Sequence, residues 1–290
     1  MNLTEQVNRR KFTREDGERW DTIIQPRKGW VELPFREAWE QRELLFFLVW
    51  RNLKIRYKQT VLGVTWAVLQ PLFAMLVFTI FFGRLAKIST GDIPYPIFVY
   101  AGLVPWTFFA NSLSRASNSL VENERLITKI YFPRLFLPAA EVMAGLVDFL
   151  IALLLLFGLM AWYGIWPTAA VWFLPLFLGM AFFAALGVSF WLSTMHVLYR
   201  DIRYVVTFLV QFWLFATPVI YPESLIPKGW QALYGLNPMV GVVEGFRWSL
   251  IGTTAPTVSL IAASFLVVVI FLAGGIYYLQ RMEDRLADVI

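Results

Sequence analysis

Cysteine is absent from the 290 residues and histidine occurs once. Disulfides, thiolate zinc sites, iron–sulfur clusters and a cysteine nucleophile are excluded, and most metal chemistry is starved of ligands. Charge is scarce as well: Asp, Glu, Lys and Arg make up 16% of the chain, where soluble domains carry about 25%. With 58% hydrophobic residues, a soluble enzyme fold is excluded and a membrane protein is expected. No GxxxxGK(S/T) phosphate loop occurs, so ATP hydrolysis by that machinery is not expected on this chain. The formal charge of +5 fits the Lys and Arg excess of cytoplasmic membrane-protein loops and calls for no nucleic acid.

What is present comes in apolar runs. Residues 59–83 hold no charge over 25 positions, against roughly 20 needed to cross about 30 Å of hydrocarbon. Residues 93–114 form a second such run, between Asp92 and Arg115. A third begins near Leu135 and carries Glu141 and Asp148, after which 51 residues from Phe149 to Tyr199 lack any charge. Tyr163 to Pro167, YGIWP, combines interfacial aromatics with helix breakers, so the stretch divides into spans at about 135–162 and 168–198. Spans at about 204–221 and 256–280 complete six. The 34 residues from Pro222 to Ala255 contain apolar pieces too short to cross, Gly229 to Leu236 and Met239 to Ile251; these predict a re-entrant helical pair, the alternative being a folded external loop. Glu244 and Arg247 within it are spaced to pair on a helix. The expected fold class is an all-α membrane protein of six transmembrane helices. Its organisation is a charged cytoplasmic extension over 1–33, an interfacial amphipathic helix over 34–58, and a transmembrane domain over 59–290.

With the N-terminus in the cytoplasm, 21 Lys and Arg fall inside and 4 outside, which predicts cytoplasmic N- and C-termini. The highly charged opening residues predict that no signal peptide is cleaved and that the first span serves as the insertion signal. On the outside, Asp92, Glu223 and Glu244 are dispersed, offering no catalytic acid pair.

Before the first span, Phe35, Trp39, Leu44, Leu45, Phe47, Leu48 and Trp50 alternate with charges, the pattern of a helix lying in the headgroup plane. Arg51, Lys54, Arg56 and Lys58 follow at the boundary, where they suit either a lipid-phosphate site or ordinary headgroups. Ser119 to Arg134 reads as a charged docking helix presenting Glu122, Glu124, Arg125 and Lys129, or as a solvated loop. Glu141 and Asp148 lie two turns apart on one face; structural hydrogen bonding, a pathway lining and proton coupling are all open to them. Tyr204, Phe208, Phe212 and Phe215 share a face that suits sugar C–H surfaces, lipid or packing. Gly241 and Gly245 suit close helix packing.

Arg56 to Gly63 (RYKQTVLG) and Trp66 to Leu72 (WAVLQPL) resemble the opening signature of the type-2 ATP-binding-cassette exporter permeases for polysaccharides, whose members export O-antigen, capsule and teichoic acid. Tyr131 to Arg134 (YFPR), Tyr199 to Tyr204 (YRDIRY), Thr217 to Pro222 (TPVIYP) and Asn237 to Met239 (NPM) resemble the same family, in order along the spans. The resemblance implies a homodimer in the bacterial inner membrane, joined to two separate ATPase subunits that hold the ATP and Mg; no cofactor is implied on this chain. It implies export of a polysaccharide attached to undecaprenyl diphosphate. It places Glu122, Glu124, Arg125 and Lys129 in a coupling helix on the ATPase, and makes Trp66, Phe73 and the four aromatics from Tyr204 to Phe215 candidate channel liners. Arg51, Lys54, Arg56 and Lys58 become candidate ligands of the lipid diphosphate. The rival readings are an exporter of a drug or small lipid with the same topology, a membrane glycan-processing enzyme, and a proton-coupled carrier.

Overall fold

The computed structural model describes residues 39–58, 63–227 and 230–289. The extension expected over 1–33 lies outside them, and Pro34–Ile290 forms one compact unit. Every regular element among the described residues is helical. In chain order these are α1 (Arg42–Lys58), α2 (Gly63–Phe78) continued by a π-helical Thr79–Leu85, α3 (Tyr95–Glu122), α4 (Glu124–Ile127) and α5 (Phe136–Trp162). A 3-10 turn at Ala169–Phe173 leads into α6 (Leu174–Leu198), followed by α7 (Ile202–Ala216), α8 (Gln231–Tyr234), α9 (Pro238–Ile251) and α10 (Val258–Val289).

Among the described residues, five segments are long and apolar enough to cross a membrane: Val68–Leu85, Tyr95–Glu122, Phe136–Trp162, Ala169–Leu198 and Val258–Glu283. The segment expected as the fifth of six spans is different. Its helix, Ile202–Ala216, has 15 residues, about 22 Å at 1.5 Å per residue, and gives way at Thr217 to a turn. Thr217 is followed by Pro218, which disfavours the helical conformation at the residue before it.

α3 is the axis of the bundle, buried along most of its length. α5, α6, α9, α2 and α7 all pack on it. Rings interlock between layers: Phe108 meets Phe149 edge-on at 5.7 Å, and Phe149 meets Phe246 at 5.8 Å. A smaller core of Leu48, Leu120, Phe132, Phe136, Leu137, Ala140, Val197 and Met282 ties α1 to α3, α5, α6 and α10 at the end of the bundle where α4 lies.

α1 is not a simple two-faced helix. Leu48 and Asn52 are buried against the bundle, while Phe46, Phe47, Trp50 and Ile55 are exposed. Apolar side chains thus leave α1 in two directions, one toward the protein and one toward its surroundings. Gly241 and Gly245 serve close packing within the chain: the Gly241 N–H donates to Ser264 Oγ at 3.2 Å, and Gly245 lies against the Phe177 ring.

Candidate functional site

At the α4 end, the four cations of α1 divide. Lys54 and Lys58 are exposed, whereas Arg51 and Arg56 are half-buried and turned to the protein. Arg51 Nη2 donates to Asn123 Oδ1 at 2.9 Å. Arg56 Nη2 pairs with Glu141 at 3.4 Å and its Nη1 donates to Asp148. Tyr57 Oη also donates to Asp148, and Arg115 of α3 stands 4.0 Å from the same carboxylate. The two acids of the third span, with no base near them in sequence, therefore meet bases from α1 and α3. Burial first, and then the bond to Asp148, push the Tyr57 phenol up to about 12, so it remains a donor at any physiological pH.

Sequence reasoning left Tyr57 and Arg115 without a role. The signal for Arg115 was available: Asn111, Ser114, Arg115 and Asn118 recur at helical spacing along the half of α3 nearer α4.

The expected docking segment is not one helix: Ser119–Glu122 prolong α3, Glu124–Ile127 form the single turn α4, and the rest to Arg134 is mostly turn and irregular chain. Glu122, Glu124, Arg125 and Lys129 are all exposed there, as are Ile130 and Tyr131. Phe132 and Pro133 beside them are buried, and Arg134 donates to the Glu283 carbonyl. A charged, exposed turn is thus held on an anchored base.

Along α7, the aromatics expected to line a channel form one exposed face. Tyr204, Phe208, Phe212 and Phe215 of α7 are all exposed, and the rings of Phe208 and Phe212 stack at 6.4 Å. Phe73 of α2 is exposed too, while the Trp66 side chain lies outside the described residues. Between α7 and α8 is a groove of about 410 Å³ lined by Leu209, Phe212, Trp213, Trp230, Leu233 and Tyr234 among others.

The turn after α7 shows why its backbone can leave the helix inside an apolar bundle. An unpaired carbonyl there costs free energy comparable to a lost hydrogen bond. Every carbonyl from Phe215 to Ile220 has a donor. Phe215 O accepts from Tyr221 Oη, Ala216 O from Asn237 Nδ2, and Thr217 O from the Val219 N–H. Pro218 O and Val219 O accept from Arg247, and Ile220 O from Tyr95 Oη at 2.7 Å. Asn237 Oδ1 also caps α9 through the Met239 N–H and accepts from Trp213 Nε1 at 2.9 Å. Glu244 and Arg247 pair at 3.0 Å, as their spacing predicts. The TPVIYP and NPM stretches are therefore two halves of one hydrogen-bonded unit. Asn237→Ala is expected to lower stability by about 2 kcal/mol, from the lost cap and the orphaned Ala216 carbonyl, read as thermal unfolding of the purified chain in detergent.

Against this geometry, the match to known proteins decides the family. Residues 43–251 match the family model described as "ABC-2 type transporter". The chain belongs to that family. The chain is 32% identical to the O-antigen export system permease protein RfbA of Myxococcus xanthus, over 86% of its own length and 96% of the relative's. It is 26% identical to the protein of the same name from Klebsiella pneumoniae, over 86% and 95%. The polysialic acid transport protein KpsM of Escherichia coli is 27% identical over 82% of this chain and 93% of its own. This ABC-2 chain is a multi-pass membrane protein and a component of a transporter. Its family match takes in nearly all of α1 and the whole of the exposed turn at α4, α7 and α9, so the features described above fall within it.

Proposed function

We propose that this chain is the permease subunit of an ATP-driven exporter of polysaccharide, working as a homodimer with two ATP-binding-cassette ATPase subunits. The observation that carries the reading is the end-to-end likeness to O-antigen permeases, 86% of this chain against 96% of the Myxococcus protein. The exposed aromatic face of α7 supports it, because ring faces take up sugar C–H surfaces without holding the polar groups that water also satisfies. A drug or small-lipid exporter of the same family would have no evident use for such a face repeated over about three turns.

In this reading the substrate hangs from undecaprenyl diphosphate, and Arg51, Lys54, Arg56 and Lys58 attract its phosphates. Lys54 and Lys58 are the two that face outward. Replacing both with Ala is expected to weaken association with the anionic lipid about tenfold or more, since each surface cation contributes about 1 kcal/mol. Insertion and dimer size should be unchanged, and export assayed in cells should fall. Equal export by the double variant would remove these lysines from the pathway.

Glu122, Glu124, Arg125 and Lys129 are the contact with the ATPase. ATP and Mg belong to that partner, and ATP hydrolysis is its work. Co-purification with the ATPase of the same export system tests the reading. A stable complex whose hydrolysis responds to lipid-linked polysaccharide supports it; transport or glycan turnover by this chain alone overturns it.

We place the protein in the bacterial inner membrane with six crossings, α7 being the short one, and α8 and α9 re-entering from outside. An even number of crossings brings both termini to the cytoplasm and keeps 21 Lys and Arg inside. Because the chain has no cysteine, single substitutions give a clean test. Ser89→Cys should react with an impermeant maleimide on intact spheroplasts, and Thr128→Cys only after permeabilisation. The reverse pattern would invert the topology.

A further inference from the structure

Along α3, Asn111, Ser114, Arg115, Asn118 and Glu122 recur at three- and four-residue intervals, and none of the five is buried. They form a polar stripe on the most enclosed of the five membrane-length segments. Arg115 lies seven residues from the α4 end of this helix, about 10 Å at 1.5 Å per residue. A helix of 28 residues spans about 42 Å and exceeds the hydrocarbon thickness by about 12 Å. With that excess shared between its ends, Arg115 sits just inside the boundary, where a long cationic side chain reaches the phosphate level of the headgroups.

A guanidinium at that depth is costly unless it is matched by acceptors. The match inside the protein is incomplete. Asp148 already accepts from Tyr57 Oη and Arg56 Nη1, and Arg115 Nη1 stands 4.0 Å from the oxygen that Arg56 holds. Glu141 pairs with Arg56. Arg115 keeps 43% of its side chain exposed, so most of its five-donor fork is left for another acceptor. Neutral sugars and acyl chains gain little from such a group. A phosphate gains two parallel charge-assisted hydrogen bonds, and the second guanidinium of Arg56 lies on the same carboxylate.

We propose that Arg115 is an anion subsite for the phosphate of a lipid-borne diphosphate, set against Asp148 and reached along the polar stripe of α3. The proposal rests on the exporter reading for the identity of the lipid, and it adds a residue that the cations of α1 do not include. Asp148 holds the guanidinium in place when no phosphate is present, and the anion draws the fork outward when it arrives.

The test is binding of undecaprenyl diphosphate to the full-length chain in phosphatidylcholine nanodiscs. Arg115→Gln is expected to weaken binding about tenfold, and Arg115→Lys, which keeps the charge and loses the fork, by about threefold. On the wild-type chain, undecaprenyl diphosphate should slow phenylglyoxal modification of Arg115, read by mass spectrometry, about fivefold or more; this measurement decides the matter if the glutamine variant does not fold. Unchanged binding by Arg115→Gln, with no protection, overturns the subsite. Equal binding of phosphatidylglycerol, lost to the same extent in the variant, marks an ordinary lipid contact and overturns it too. Free pyrophosphate binding as tightly as the lipid overturns the lipid source and the proposal with it. The assay reads binding without transport. A failed subsite alongside polysaccharide-responsive ATPase therefore sinks this inference and leaves the exporter reading standing, whereas an ATPase that ignores lipid-linked polysaccharide sinks both.

Discussion

Arg247→Ala should be the most damaging single substitution at the α9 end, lowering stability by about 3–5 kcal/mol. Arg247 is fully buried. Its Nε donates to Phe98 O at 3.1 Å, Nη1 to Pro218 O and to Glu244 Oε1 at 3.0 Å, and Nη2 to Val219 O at 2.6 Å. The guanidinium also lies over the Phe98 ring at 3.6 Å. Gly102 makes room for it, since a Cβ there would come within 2.7 Å of Nη2. Truncation leaves two carbonyls of the turn and one carboxylate without a donor in a place water does not reach, and takes a second donor from the helical Phe98 carbonyl. Most of the cost is the uncompensated Glu244 rather than the lost attraction itself. Arg247→Met combined with Glu244→Gln should therefore recover part of the loss, and a double-mutant cycle on thermal unfolding measures how much. Arg247→Lys should behave close to the alanine variant, because a single ammonium cannot reach acceptors on α3, α9 and the turn together. If Arg247→Ala unfolds within about 1 kcal/mol of wild type, the turn after α7 is held by something other than this side chain.

How much of this was legible beforehand depends on whether the signal was local. The long apolar runs set α2, α5 and α6, and the starts of α3 and α10, to within a few residues, because crossing hydrocarbon leaves a run of the right length in the sequence. α7 was read too long. Its apolar run continues through Val219 and Ile220, and nothing in hydropathy distinguishes a helix from a turn whose carbonyls are served by Asn237, Arg247 and Tyr95 from elsewhere in the chain. The reach of α3 to Glu122 was missed for the converse reason: past Ser114 its residues are polar, and helix and loop look alike once the apolar pattern stops. Pairing of Glu244 with Arg247 followed from spacing along one helix. Pairing of Arg56 with Glu141 and Asp148 joins residues 85 and 92 apart in sequence, beyond any periodicity. The four cations of α1 looked equivalent as a run, yet helical geometry turns Arg56 inward and leaves Lys54 and Lys58 outside.

Gly187→Val is expected to be comparably severe by a different route, because it pushes two crossing helices apart. α6 and α10 meet backbone to backbone. A Cβ on Gly187 would lie 2.7 Å from Leu272 N and 2.8 Å from Phe271 C, and one on Gly275 would lie 2.6 Å from the Gly187 carbonyl oxygen. Backbone cannot swing aside as a side chain can, so the helices must separate. Lipid chains are as apolar as the helix surfaces, and burial gives no drive to keep two membrane helices together; close packing supplies it, and small residues make the closeness possible. Separation would also loosen the stack of Trp191 on Tyr278 at 4.8 Å and the bond from Trp191 Nε1 to Phe271 O at 3.2 Å. Overpacking typically costs about 1–3 kcal/mol, and loss of these contacts brings the expected total to about 3 kcal/mol or more. Gly158→Ala in α5 is the control. Nothing lies within 4 Å of its Cβ position, and alanine is the better helix former by about 1 kcal/mol, so its unfolding temperature should be unchanged or higher. Equal losses from Gly187→Val and Gly158→Ala would mean that helix contacts at the α6–α10 crossing do not set the stability of the bundle.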